Sequence, residues 1–190
     1  MTFYRDSLNA LTVLPHRALR RSVFLAMMGL LLTLGLAGCD TLVTDQYEAT
    51  ALVTYTWQVE YRPRRMSPDR PRTSRQEKFA SASLLNRNGV QPEGAVTGPD
   101  DQGLWWPELP PRPTADELEA RLQDREQFES PQLLKSTQYE ITYEDNTGEF
   151  VTLPTKHALY RKAVRAYANG RSLKLTLGPN DGSIQKVELQ

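Results

Sequence analysis

The feature that most constrains this chain is an uncharged apolar run, Val23 to Leu36, preceded by Arg17, Arg20 and Arg21 and followed by Ala37, Gly38 and Cys39, the sole cysteine. The run is shorter than the roughly 20 residues a helix needs to cross a bilayer. Basic residues before a short apolar stretch are the layout of an export signal rather than of a spanning helix. With one cysteine no intrachain disulfide can form, so packing alone must hold whatever follows. Residues 39–190 are a normal length for one domain with a modest core.

Leu36-Ala37-Gly38-Cys39 resembles the lipobox of bacterial lipoproteins. The resemblance covers the chain up to Cys39 and implies that this sulfur receives a diacylglycerol thioether, that cleavage follows Gly38, and that acylated Cys39 becomes the mature N-terminus. Each buried CH₂ contributes about 0.8 kcal/mol, so several acyl chains hold a protein far more firmly than one. Asp40 follows the cysteine. In the enteric lipoproteins this segment resembles, Asp there marks retention at the inner membrane, which implies a lipid-anchored, extracytoplasmic (periplasmic) location. The expected organisation is a cleaved signal peptide (1–38), an acylated N-terminus with a tether (39–46) and a single globular domain (47–190).

Net charge is zero over the whole chain. The leader holds Arg5, Arg17, Arg20 and Arg21 against Asp6, so the remainder is slightly acidic. No general basic excess speaks for a nucleic-acid partner.

Tyr47, Ala49, Ala51, Val53, Tyr55, Trp57, Val59 and Tyr61 share one parity, while mostly polar residues and Leu52 hold the other. Such alternation predicts a long, half-buried strand. The Arg- and Pro-rich stretch from Arg62 to Arg72 ends it, because proline removes ladder donors and restricts its neighbour. It opens an expected insertion, 62–133. There, Phe79 to Leu85 fits either a short strand or a helical turn, and Asn86 to Gly103 reads as a loop. Leu104 to Pro113 sets two tryptophans on a stiff polyproline-like backbone, which either caps a core or anchors a partner. The stretch from Gly103 to Thr114 is similar to part of uncharacterised cyanobacterial lipoproteins, a likeness that implies no activity and is compatible with a thylakoid or plasma membrane. Thr114-Ala115-Asp116-Glu117 predicts a capping box opening an acidic helix to about Gln127.

Alternation predicts further strands at Thr137 to Tyr143, Glu149 to Leu153, Leu173 to Leu177 and Ser183 to Leu189. Turns are expected at Asp145-Asn146-Thr147-Gly148 and Pro179-Asn180-Asp181-Gly182. Ile184 is out of parity with Val187 and Leu189, which suggests a bulge. Leu159, Tyr160, Ala163, Val164 and Tyr167 mark one face of a helix over Lys156 to Ala168 that Gly170 stops. The expected fold is therefore α+β and mainly β. It is either a five-stranded antiparallel sheet or an OB-like small barrel, with one packed helix and the insertion carrying a second, acidic helix.

No catalytic, cofactor or metal site is expected. His157 is the only histidine beyond the leader, and Ser81 and Ser83 have no base at a recognised spacing. Acidic residues at helical spacing, such as Asp116, Glu119 and Asp124, read as a solvated face, and the Asp145 turn lacks the later ligands of a calcium loop. Two binding surfaces are left. Trp105, Trp106, Leu109 and Arg112 are candidates for contact with a protein partner. Tyr55, Trp57 and Tyr61 are candidates to line a small-ligand or glycan site in a barrel mouth.

Overall fold

A computed structural model describes residues 40–64 and 74–190. Residues 1–39 and most of the Arg/Pro-rich cluster lie outside the described residues, and with them the expectations of lipidation and signal cleavage. Among the described residues no helix is long and apolar enough to cross a membrane.

The elements run β1 (Thr41–Thr44), β2 (Tyr47–Pro63), β3 (Arg75–Arg87), α1 (Ala115–Ala120), β4 (Glu126–Phe128), β5 (Gln132–Glu144), β6 (Phe150–Thr155), α2 (His157–Ala168), β7 (Leu173–Leu177) and β8 (Ile184–Leu189). The protein is mainly β, built on two antiparallel sheets. A five-stranded sheet has the order β3-β2-β5-β6, with β4 also paired to β2. A three-stranded sheet has the order β1-β7-β8.

This corrects three expectations. The strands expected in one sheet divide between two, and neither closes into an OB-like barrel. The second correction concerns the tether: Thr41 to Thr44 is a strand, paired with Leu173 to Thr176 of β7. Thr41, Val43 and Thr44 are β-branched and suit a strand, but four residues are too few to show a period. Finally, Phe79 to Leu85, expected as a short strand or a helical turn, belongs to the 13-residue β3, which pairs with β2 from Tyr61↔Arg75 to Thr50↔Arg87. The β2–β3 register slips between Thr56 and Gln58, setting Phe79 and Ala80 opposite Trp57. That bulge changes the parity of β3 midway, which is why neither period fitted the segment.

The alternation of β2 translates directly into burial. Ala49, Ala51, Val53 and Tyr55 face the main core, whereas Leu52 on the opposite parity is exposed. That core is closed by α2 through Tyr160, Ala163, Val164 and Ala166, and by β7 and β8 through Leu173, Leu175, Leu177, Ile184 and Val187. A smaller cluster joins Val59, Tyr61 and Leu118, with Phe79, Leu122 and Phe128 packed against it. The outer face of the large sheet is mixed: hydroxyl pairs Thr54–Ser83 at 2.8 Å and Thr56–Ser81 at 2.9 Å stand beside exposed Leu52, Leu134 and Phe150. An antiparallel sheet can present such a face to water.

Helix α2 ends as its glycine predicts. Gly170 has φ +61°, its N–H donates to Tyr167 O, and the Arg171 N–H donates to Ala166 O, the paired bonds of a Schellman motif. The bulge expected from Ile184 is present: Leu177 pairs with Ile184 but Thr176 pairs with Lys186, so Gln185 is the extra residue. Helix α1 stops short of the expected Gln127, with Arg121 as its C-cap.

Candidate partner-binding site

The second half of the insertion crosses the inner side of β2 as an extended strap, and local hydrogen bonds fix its entry. Asp100 Oδ1 accepts from the N–H groups of Gln102 at 3.0 Å and Leu104 at 2.8 Å, while Oδ2 accepts from the Trp106 indole at 2.8 Å. Burial alone would raise the Asp100 pKa. The bonds from Trp106, Leu104 and Gln102, with Lys135 nearby, outweigh it and hold the carboxyl below its ordinary range. Asn86 acts as a substitute strand partner: Trp105 N donates to its Oδ1 at 2.7 Å, and its Nδ2 donates to Trp105 O at 3.0 Å.

Trp106 then lies on Tyr55, ring centroids 4.8 Å apart, with Lys135 Nζ 4.9 Å from the indole centroid. Only 7% of Trp106 is exposed. Of the two roles open to it, this ring has the core-capping one and offers nothing to a partner. Trp105 is half-buried.

Beyond the tryptophans the strap is proline-rich. Pro110 and Pro113 are buried and Pro107 is half-buried, while Glu108, Leu109, Pro111 and Arg112 are exposed. Covered positions three apart match the three residues per turn of a polyproline II helix. One edge is therefore laid down and the others are displayed. The Trp57 indole donates to Pro110 O at 2.9 Å and pins the ridge, and the Arg112 guanidinium stands 5.7 Å from the Trp57 ring centroid.

The ridge runs into α1 through the expected capping box. Glu117 N donates to Thr114 Oγ1 at 3.3 Å, and Thr114 N donates to Glu117 Oε2 at 2.8 Å. That backbone bond, then the Thr114 hydroxyl, holds the Glu117 carboxyl below its usual range. A groove of about 320 Å³ opens between the ridge (Pro111 to Thr114), the β3 bulge (Lys78 to Ala80) and α1 (Glu117, Arg121). Arg121 lies over the Phe79 ring at 4.1 Å and meets Glu77 at 3.0 Å. Lys78 and Arg112 have no ion pair among the described residues.

Of the four residues expected at a partner surface, Leu109 (56% exposed) and Arg112 are displayed, Trp105 is partly so and Trp106 is not. The three expected ligand-lining aromatics do not share a mouth. Tyr55 lies beneath Trp106, and Trp57 is half-buried against the strap. Tyr61 is fully buried and donates to Leu118 O at 3.2 Å, with Arg75 over its ring at 4.2 Å. Their shared parity was legible, but the segments that cover them, the strap over Tyr55 and Trp57 and α1 over Tyr61, are distant in the chain. His157 Nε2 lies 3.3 Å from Gln102 O, and its ring lies 5.3 Å from Tyr139. Among the described residues no three His, Cys, Asp or Glu side chains converge as a metal ion would require. Sequence reasoning missed Lys78 and Arg121 as groove residues, since only the fold brings them beside Arg112.

A scan against protein-family models finds no match, and neither curated proteins nor solved structures yield a similar chain.

Proposed function

We propose that this chain is a lipid-anchored interaction module rather than an enzyme. Cys39 carries the anchor at the extracytoplasmic face, and the pinned polyproline ridge meets a protein partner through Leu109, Pro111 and Arg112. The observation that carries the reading is the one-sided burial of the ridge, with Pro110 and Pro113 buried and the intervening side chains displayed. A segment already fixed in its binding conformation loses little entropy on association. The lipobox resemblance supports the anchor, and Asp40 favours the inner membrane.

Crosslinking on intact membranes tests both parts. Native chain should yield a defined adduct that Leu109→Asp abolishes while the variant's unfolding midpoint is unchanged. Cys39→Ala should release the protein from the membrane fraction, and mass spectrometry of the native chain should find acyl groups on Cys39. An unmodified thiol overturns the anchor, and an adduct indifferent to Leu109→Asp overturns the ridge.

A further inference from the structure

Resting on the lipid anchor proposed for Cys39, we propose that the outer face of the small sheet, with the edge of α2 beside it, lies against anionic headgroups of the leaflet that holds the anchor. From Phe150 to Asn180 the chain carries Lys156, Arg161, Lys162, Arg165, Arg171 and Lys174 and no Asp or Glu, although its net charge is zero. Among the described residues none of these six has an ion pair. The fold gathers part of the excess. Leu173, Leu175 and Val187 turn inward, so Lys174 and Lys186 project from the opposite face. Lys162 reaches the edge of β8, its Nζ donating to Val187 O at 3.5 Å, and Arg165 follows on the exposed side of α2. The carboxylate among them is Glu188, opposite Lys174 and 2.8 Å from Lys186. The Lys186 hydrogen bond and charge, then Lys174 and Lys162, hold the Glu188 carboxyl below its usual range, which places all three amines around one anion. Asp45 and Asp181 sit in connections at the ends of the sheet, and Asp40 shares the inward parity of Leu42. Lys162, Arg165, Lys174 and Lys186 thus meet a single carboxylate on this surface.

Placement favours a membrane over an acidic protein. β1 begins at Thr41, just after Cys39 and Asp40, and forms the opposite edge of the same sheet. An extended residue spans at most about 3.5 Å and neighbouring strands lie about 5 Å apart, so an anchor at Cys39 keeps Lys174 and Lys186 within about 20 Å of the headgroup layer. Tethering makes the contact intramolecular, so a few cations suffice. A soluble partner gains nothing from that proximity. Val43, 59% exposed, pairs with Lys174 and gives the face an apolar side chain to set among the headgroups.

Amine labelling of the native chain reconstituted in vesicles, read by mass spectrometry, tests the assignment. Lys162, Lys174 and Lys186 should be protected in phosphatidylcholine vesicles that contain phosphatidylglycerol but not in phosphatidylcholine alone, and high salt should remove the protection. Lys78, on the large sheet, should label equally in both. In a Cys39→Ala background, which takes the anchor out of the comparison, Lys162→Gln with Lys174→Gln and Lys186→Gln should lower partition onto the anionic vesicles on the order of a hundredfold, about fivefold per cation. Glu188→Gln should raise it about fivefold, a gain that no folding defect imitates. Lys→Arg at the same three positions should retain binding. Equal labelling in both vesicles, protection indifferent to salt, or partition unmoved by these changes would each overturn the proposal. So would protection seen only on native membranes, which would assign the face to a protein. The same spectra report on Cys39. Acylation without protection overturns the patch and leaves the anchor, whereas an unmodified thiol with charge-dependent partition overturns the anchor and leaves the patch.

Discussion

Asn86 shows how much one polar side chain can organise. It is fully buried, and its amide completes the backbone of Trp105. Asn86→Ala leaves that N–H and C=O without partners, and it should cost about 2–3 kcal/mol in denaturant unfolding. Tyr160 is the opposite case. Its hydroxyl is buried without a hydrogen-bond partner, and burial pushes its pKa up to about 12. Tyr160→Phe removes an unsatisfied group and keeps the ring, so stability should hold or rise by about 1 kcal/mol in the same assay. Asp100 has a lower pKa folded than unfolded, so the folded state binds fewer protons near that range. Its contribution is full above the unfolded value of about 3.9 and is lost as pH falls through the lower folded value. Acid titration of stability should therefore be shallower in Asp100→Asn than in the native chain.

At the scale of elements, α1 has only six residues and depends on its cap and on Leu118 in the small cluster. Thr114→Ala should loosen α1 by about 1 kcal/mol, read as faster amide exchange there while α2 is unchanged. The strap is as sensitive at Gly98. Its φ is +133°, and an added Cβ would stand 2.8 Å from Leu104 O and 2.9 Å from Trp105 Cα, backbone atoms that cannot swing aside. Gly98→Ala should cost about 1–3 kcal/mol and expose Trp106 to a fluorescence quencher. Elements with a sustained period were legible from residue order alone: β2, β7 and α2 appear where alternation or helical spacing placed them, and β5 does so from Thr137 onward but begins earlier, at Gln132. β3 was hidden by its bulge, and β1 and β4 by their brevity. The division into two sheets is a tertiary choice that no local pattern encodes. In the site, Leu109 and Arg112 were legible because prolines leave few ways to bury a segment. Lys78 and Arg121 were not, since their neighbourhood depends on pairing across the insertion.

Across the whole molecule, the large sheet is assembled from strands contiguous in the chain apart from the strap, whereas the small sheet joins residues 41–44 to residues 173–176. The core needs both, because Leu173, Leu175, Ile184 and Val187 cover the inner face of β2 and β5. Deleting residues 184–190 should therefore open the entire body to limited proteolysis rather than fray its end. The pairing of the first described strand with the penultimate one also bears on biogenesis. During synthesis, Thr41 to Thr44 has no native mate until Leu173 to Thr176 has emerged. The nascent chain thus keeps its inner apolar layer unsealed until β7 and β8 are made, and that interval is open to any chaperone that recognises exposed apolar strands.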